Sequence, residues 1–141
     1  MRVSSKTEYA IRTLMDLSIH GNDGPVCIGD IAERQKIPVK FLEQILLMLK
    51  GAGLTRSRRG PKGGYNLARK SDEITLGDVV RLTEGIRVVA ENGQDNSACP
   101  IHELWEIIET EISETLDSKT IEGLCMRARE LAGTQSQHYS I

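Results

Sequence analysis

Two stretches of this 141-residue sequence carry side chains whose types and spacing suit chemistry. The first pairs a thiol with an imidazole, since Cys99 and His102 stand three residues apart and both side chains are ligands for metals. The second is a basic run between positions 50 and 62, where closely spaced cations without an acidic residue can attract phosphates. Its cations are Lys50, Arg56, Arg58, Arg59 and Lys62.

Charge is divided unevenly along the chain. Thirteen of the eighteen basic residues fall in positions 1–70, with six acidic residues, whereas positions 71–141 hold five basic and fourteen acidic residues. The formal net charge of −2 therefore conceals one basic half and one acidic half. This division predicts a DNA-binding head attached to an acidic assembly region.

Several function classes are disfavoured by the residue patterns. The sequence contains no Ser/His/Asp set, phosphate loop, Cys-x-x-Cys or His-Glu-x-x-His pattern, so we expect no enzyme. No apolar run reaches about 18 residues and the N-terminus lacks a secretion signal, so we expect a cytoplasmic protein with no membrane partner. The three cysteines are far apart, which suits a reducing compartment, and Cys27 and Cys125 are expected to be packing residues. Two other classes stay open: a redox protein or electron carrier that uses Cys99 and His102, and an adaptor that binds only proteins.

The order of the predicted elements indicates how these residues are positioned. Apolar periodicity and breakers predict helices at 7–19, 28–35 and 38–50, a β-hairpin from 54–57 and 64–68, and a helix starting after Thr75. This order is typical of a winged helix-turn-helix, so the fold class is mainly α with a small β-hairpin wing. A long helix from 100 to 116 and a last helix from 120 to 131 follow.

The predicted elements divide the chain into four parts. We expect a winged helix-turn-helix DNA-binding domain at 1–84, a sensor or connecting loop at 85–99, dimerisation helices at 100–132 and a flexible tail at 133–141.

Candidate DNA contacts lie on the third helix, on the wing and near the N-terminus. A helix in the major groove presents polar groups on its outer face, where Gln44 suits an adenine edge and Glu43 can accept from cytosine N4. A salt bridge to a neighbouring cation stays open for Glu43. The wing would contact the DNA backbone or place an arginine in the minor groove. The full candidate set is Arg2, Lys6, Tyr9, Val39, Lys40, Phe41, Glu43, Gln44, Arg56, Arg58, Arg59, Gly60 and Lys62.

The long helix carries a sustained apolar stripe with acidic residues on its other faces. Its members are Ile101, Leu104, Trp105, Ile108 and Ile112. Since so small a chain offers little surface for them to pack against, we expect a homodimer interface, with an intramolecular core as the alternative. A dimer would place two heads about 34–36 Å apart on successive major grooves, which predicts a palindromic operator.

These segments together resemble the Rrf2 family of bacterial transcription regulators. The resemblance covers Met1 to about Leu124, and its most specific motifs are Leu-Glu-Gln at 42–44 and Arg-Gly-x-x-Gly-Gly-Tyr at 59–65. It implies dimers joined by the long helix, base contacts by Glu43 and Gln44, a wing arginine at Arg59, and Tyr9 near the DNA-facing N-terminal segment. The chain departs from the commoner pattern at Pro38, in place of a capping serine, and at Phe41, in place of tyrosine.

The resemblance also bears on sensing. Cluster-binding members carry three cysteines before the long helix, whereas this chain keeps only Cys99 and has Gly93 and Arg87 at the other two positions. Cys99, His102 and Glu8 are the sensor candidates. Glu8 is included because an acid at its position ligates the cluster in some relatives. We expect no bound cofactor, with an iron–sulfur cluster as the alternative. If no cluster is bound, Cys99 is either inert or open to redox modification, because a helix N-terminus favours its thiolate.

Members that lack the cysteine triad include cysteine-metabolism repressors, which the C-terminal segment resembles. There the partner can be cysteine synthase, whose active site accepts a C-terminus ending in isoleucine, and Tyr139, Ser140 and Ile141 suit that role; a tail without function is the alternative. We therefore expect a homodimeric repressor of sulfur, cysteine or redox-linked genes, or alternatively a cluster or redox sensor that uses Cys99 and His102.

Overall fold

The computed structural model of the chain describes residues 2–86 and 99–139. The helices and strands follow in chain order: α1 Ser5–His20, α2 Ile28–Gln35, α3 Val39–Gly51, β1 Thr55–Arg58, β2 Gly64–Leu67, α4 Leu76–Thr83, α5 Pro100–Asp117 and α6 Ile121–Tyr139. A short 3-10 turn at Gly21–Asp23 follows α1. The expected fold class, mainly α with a two-stranded antiparallel wing, is confirmed.

Local sequence signals explain where several helices begin. The Ser4 hydroxyl accepts a hydrogen bond from the backbone N–H of Thr7 at the start of α1. At the start of α4, which was expected after Thr75, the side chains of Thr75 and Asp78 form a reciprocal capping box. Pro38 occupies the N-cap of α3 and Pro100 the first turn of α5, where the missing N–H of proline has no helical partner to lose.

The core is built around α3, which separates two apolar clusters. One cluster joins α1, α3, α4 and α6, and includes Leu14, Leu49 and Ile121. The other joins α1, α2 and α3, and includes Ile31 and Leu46. Because α3 contributes buried side chains to both clusters, its outer face is held at a fixed orientation relative to the rest of the head.

A buried ion pair fixes α1 to the C-terminal end of α2. Asp16 is 1% exposed, and it accepts two hydrogen bonds of 2.9 Å from the guanidinium of Arg34 and one of 2.9 Å from the amide of Gln35. Arg12 donates at 2.6 Å to the backbone carbonyl of Gln35. This network sets the position of α2 just before the turn that leads into α3.

The wing depends on two glycines at its turn. β1 and β2 pair from Thr55 opposite Leu67 to Arg58 opposite Gly64, and a further bridge joins Val26 to Tyr65. A Cβ atom at Gly63 would collide with the carbonyl oxygen of Arg58, and one at Gly64 with that of Val26. The Gly-Gly pair therefore lets the hairpin close and lie against the segment before α2.

Two expectations need correction. The last helix continues to Tyr139, beyond the end expected at position 131, while the flexibility of 133–141 stays a prediction. Cys27, expected to be a packing residue, is exposed at the N-cap of α2, whereas Cys125 is buried at 3% exposure. The connecting loop at 85–99 lies mostly outside the described residues.

Candidate nucleic-acid interface

The outer face of α3 presents polar side chains near its first two turns. Lys40, Glu43 and Gln44 are exposed, while Leu42, Ile45, Leu46 and Leu49 fill the core on the opposite side. Among the residues that the structure describes, Glu43 forms no ion pair. The two expected base-contacting side chains thus stand on one surface that a major groove could receive.

Phe41 and Tyr9 pack against each other between α1 and α3. Both are half-buried, and their rings meet edge to face with centroids 5.7 Å apart. The guanidinium of Arg12 lies 5.7 Å from the centroid of the Tyr9 ring. Tyr9 therefore links α1 to the first turn of α3, whereas Val39 is 45% exposed at the start of that turn.

The wing presents an unbroken set of exposed cations beside α3. Arg56, Arg58, Arg59 and Lys62 are all exposed, and Gly60 adopts a positive φ of 113° at the turn. The Lys50 ammonium, at the end of α3, donates to the Ser57 hydroxyl at 2.7 Å. This bond joins the helix face to β1, so the polar face of α3 and the cationic wing form one continuous surface.

The N-terminal segment is attached to the end of α4. Arg2 and Lys6 are exposed, while the Ser4 backbone N–H donates to the Glu84 carboxylate and the Thr7 and Thr83 hydroxyls lie 2.6 Å apart. Hydrogen bonding from Ser4 holds the pKa of the Glu84 carboxyl below its usual value. This attachment was not foreseen, because the partners are about eighty residues apart in sequence.

The apolar stripe of α5 is only partly covered by the rest of the chain. No described residue of α5 is buried; Ile101 is 58% exposed and Leu104 is 50% exposed, while Trp105, Ile108 and Ile112 are half-buried. Ile107, which was not among the predicted stripe residues, is 48% exposed. The alternative expectation, an intramolecular core, required these side chains to be buried within the chain. None of them is buried.

A family model described as an iron-dependent transcriptional regulator, Rrf2, matches residues 3–127. The chain belongs to the Rrf2 family of transcriptional regulators. A curated relative, the HTH-type transcriptional regulator IscR of Photobacterium profundum, is 37% identical over 97% of this chain and 84% of its own. Protein rrf2 of Nitratidesulfovibrio vulgaris is 41% identical over 71% of this chain and 67% of its own.

Solved structures agree with the Rrf2 assignment. CymR, the global cysteine regulator of B. subtilis, superposes with a TM-score of 0.79 at 34% identity, covering 90% of this chain and 98% of its own. IscR of T. potens superposes with a TM-score of 0.78 at 36% identity, and the match covers 93% of this chain and 90% of the IscR chain. The winged-helix architecture inferred from the sequence is therefore that of known Rrf2 regulators.

Among the described residues, the sensor candidates of this Rrf2 regulator do not form a group that could hold a metal. Cys99 is the half-buried N-cap of α5, and its carbonyl accepts from the His102 backbone N–H at 3.0 Å. The imidazole of His102 lies 3.3 Å from the carboxylate of Glu106, and Glu8 is exposed on α1. No group of three His, Cys, Asp or Glu side chains suited to a metal occurs among the described residues.

An iron–sulfur cluster fits this donor set poorly. Such a cluster usually takes four protein ligands, mostly thiolates, and the third cysteine of the chain, Cys125, is buried in the core. Residues 87–98 contain no cysteine in the sequence. The chain of the Rrf2 regulator therefore offers one thiolate at this position, Cys99, and no three-cysteine set.

The remaining expectations concern the tail and membranes. Tyr139 ends α6, whereas Ser140 and Ile141 lie outside the described residues. Among the helices that the structure describes, none is long and apolar enough to cross a membrane.

Proposed function

We propose that this Rrf2 regulator is a homodimeric repressor that binds a palindromic operator in genes of sulfur, cysteine or redox metabolism. The observation that carries the proposal is the continuous surface formed by the outer face of α3 and the cationic wing. Such a surface combines base recognition with phosphate binding, the two components of specific DNA binding.

Separate groups of side chains take separate roles in this proposal. Glu43 and Gln44 contact base edges, with Val39 and Lys40 beside them at the start of α3. Arg59 contacts a base or the minor groove next to Gly60, and the other wing cations neutralise phosphates. Arg2 and Lys6 add phosphate contacts from the N-terminal segment, which the bonds to Glu84 hold next to the head.

Homodimer formation through α5 is supported by the exposure of its apolar stripe. Ile101, Leu104 and Ile107 would each remain about half exposed in an isolated protomer. Complete burial of an exposed side chain of this size is worth about 1.5–3 kcal/mol, so covering the remaining half gains about 0.8–1.5 kcal/mol for each, and a two-fold axis doubles every contact. A second copy of α5 supplies the missing cover.

The decisive experiment is selection of duplexes by the purified full chain, followed by affinity measurement across a salt series. We expect a palindromic site and a log–log salt slope that gains about 0.9 per phosphate neutralised. The variant Arg56→Ala/Arg58→Ala should reduce that slope by about 2. The matched control is Arg127→Ala, since Arg127 is exposed on α6 and paired with Glu130. No binding to any duplex at low salt would reject the proposal.

The regulated genes are proposed from the relatives. CymR is described as a global cysteine regulator and is similar to this chain over most of both lengths. An operator fused to a reporter, tested with and without a cysteine source, would examine this assignment. A reporter that ignores the sulfur supply would contradict it.

Iron-dependent or redox sensing through Cys99 and His102 is the second candidate function. It is favoured by the family description as iron-dependent and by the similarity to IscR. Anaerobic purification with iron analysis and visible absorbance tests it, with Cys99→Ser as the variant and Cys27→Ser as the matched control. A colourless, iron-free wild-type protein whose DNA affinity does not change with oxidant would remove this candidate.

Binding of cysteine synthase by Tyr139, Ser140 and Ile141 stays a prediction without support from the relatives or from the described residues. A titration of cysteine synthase with the full chain and with a chain ending at residue 138 would test it.

A further inference from the structure

Leu47 is an unusual side chain on the outer face of α3. It is 71% exposed, more than any other large hydrophobic side chain among the described residues. Single exposed leucines are common on protein surfaces and need no function. Leu47 differs by its position, because Glu43, Gln44 and Lys50, one turn away on the same face, are polar or charged.

Helical geometry puts Leu47 at the centre of that face. At about 100° per residue, the exposed residues of α3 span about 140° of its circumference, and Leu47 lies within about 10° of the middle. Its neighbours one turn earlier are Glu43 and Gln44, and Lys50 follows one turn later with its ammonium bound to Ser57. The side chain that points most directly away from the core is therefore aliphatic.

The partner must suit an aliphatic group surrounded by cations. Lys40 and Lys50 lie on the same face, and the wing arginines border it, so the surface as a whole is complementary to a polyanion. Within the major groove of DNA, the apolar group available on a base edge is the 5-methyl of thymine. A partner protein that buried Leu47 here would instead have to match these cations with acidic groups.

We propose that Leu47 is a specificity-determining residue that contacts the 5-methyl group of a thymine in the operator. This inference rests on the proposed DNA-binding function. Leu47 lies about 6 Å along the helix axis from Glu43, which corresponds to about two base-pair steps. The thymine is therefore expected about two base pairs from the pair that Glu43 contacts.

The test removes single methyl groups from the DNA. In the selected duplex each thymine is replaced in turn by deoxyuridine, which lacks only the methyl group. The wild-type chain should lose about fourfold in affinity at one position per half-site, or about 0.8 kcal/mol, and about 15-fold when both half-sites are changed. The variant Leu47→Ala should bind the thymine and deoxyuridine duplexes equally at that position.

Glu43→Ala is the matched control from the same helix face. It should alter preference at its own base pair and keep the sensitivity to the methyl group. Leu47→Ala should melt at the wild-type temperature, because an exposed side chain contributes little to the core. Wild-type binding that ignores every thymine methyl, or a Leu47→Ala variant that retains the discrimination, would overturn the assignment while leaving the proposed function intact. Failure to bind any duplex would overturn both.

Discussion

Arg81 on α4 binds Asp117 at the end of α5 through two hydrogen bonds of 2.8 and 2.6 Å. The same guanidinium donates to the Ser113 hydroxyl at 2.7 Å, one turn earlier on α5. Arg81 thereby connects the winged-helix head to the helix that carries the exposed apolar stripe. In a dimer joined through α5, this contact would help to fix the position of each head relative to the other.

Loss of the Asp117 charge should destabilise the chain in a pH-dependent way. Hydrogen bonding from Arg81 holds the pKa of the Asp117 carboxyl below its usual value. A lowered folded-state pKa gives stability that is present above the unfolded-state pKa and is lost as the pH falls through the folded-state pKa. Asp117→Asn should therefore melt below the wild type at pH 7, and the two melting temperatures should converge in acid.

Thermal denaturation followed by circular dichroism between pH 7 and pH 3 measures that difference. Glu130→Gln is the matched control, since Glu130 forms an exposed pair with Arg127 inside α6. Its melting temperature should stay close to the wild type throughout. A constant difference between Asp117→Asn and wild type at every pH would contradict the role assigned to the ion pair.

Gly77→Ala should disrupt the same junction by steric overlap. A Cβ atom at Gly77 would collide with the Asp117 carboxylate, and the Arg81 guanidinium lies close behind. Because both groups are the far ends of flexible, partly exposed side chains that can turn aside, we expect a loss of no more than about 1 kcal/mol in the free energy of unfolding, measured by urea denaturation. Gly133→Ala on α6, where nothing lies within 4 Å, is the control and should be neutral or stabilising. Equal stability of the two variants would show that α5 can shift without cost.

Leu104→Glu should separate the proposed dimer while the head stays folded. Two copies of Leu104 would be buried per interface, so their loss should raise the dimer dissociation constant by roughly 100-fold or more. Light scattering after size exclusion measures the mass, with the exposed neighbour Glu103→Ala as control. A wild-type chain that is already monomeric would reject the interface.

Arg59→Ala should weaken binding to the selected operator by about 1–3 kcal/mol if Arg59 contacts a base. The loss should be greatest for the selected sequence and smaller for unrelated DNA. Fluorescence anisotropy at fixed salt measures both, with Arg127→Ala as the matched arginine control. Equal losses on all sequences would reassign Arg59 to a phosphate.

The three cysteines should differ in their reaction with an alkylating reagent. Burial raises the pKa of the Cys125 thiol, and its Sγ lies 3.8 Å from the Met15 carbonyl oxygen. Cys27 is exposed, so mass spectrometry of the folded protein should find Cys27 labelled first and Cys125 protected until the chain unfolds. Rapid labelling of Cys125 would mean that α6 separates from α1 in solution.

Much of the head follows from local patterns. The period of apolar residues in α3, with Leu42, Ile45 and Leu49 on one side, predicts which face is buried because a helix repeats every 3.6 residues. The Thr75 capping box and Gly63 at the wing turn act through residues close in sequence, so their signals are short and specific. The cations at 56–62 lie close together in sequence, so a hairpin is enough to present them on one exposed surface.

Other features have no local signal. The end of α6 was set too early, because Gly133 suggested a stop although the residues that follow continue the helix to Tyr139. Cys27 and Cys125 are the same residue type, and only packing makes one exposed and the other buried.

The sequence by itself determined the order of elements, the charge of each half and the side chains that face outward on α3, since these depend on spacing along a few turns. Only the tertiary structure decided that Arg81 meets Asp117 and that Ser4 meets Glu84. Such pairs are set by how the helices pack against one another, and packing joins residues whose separation in the sequence carries no periodic signal.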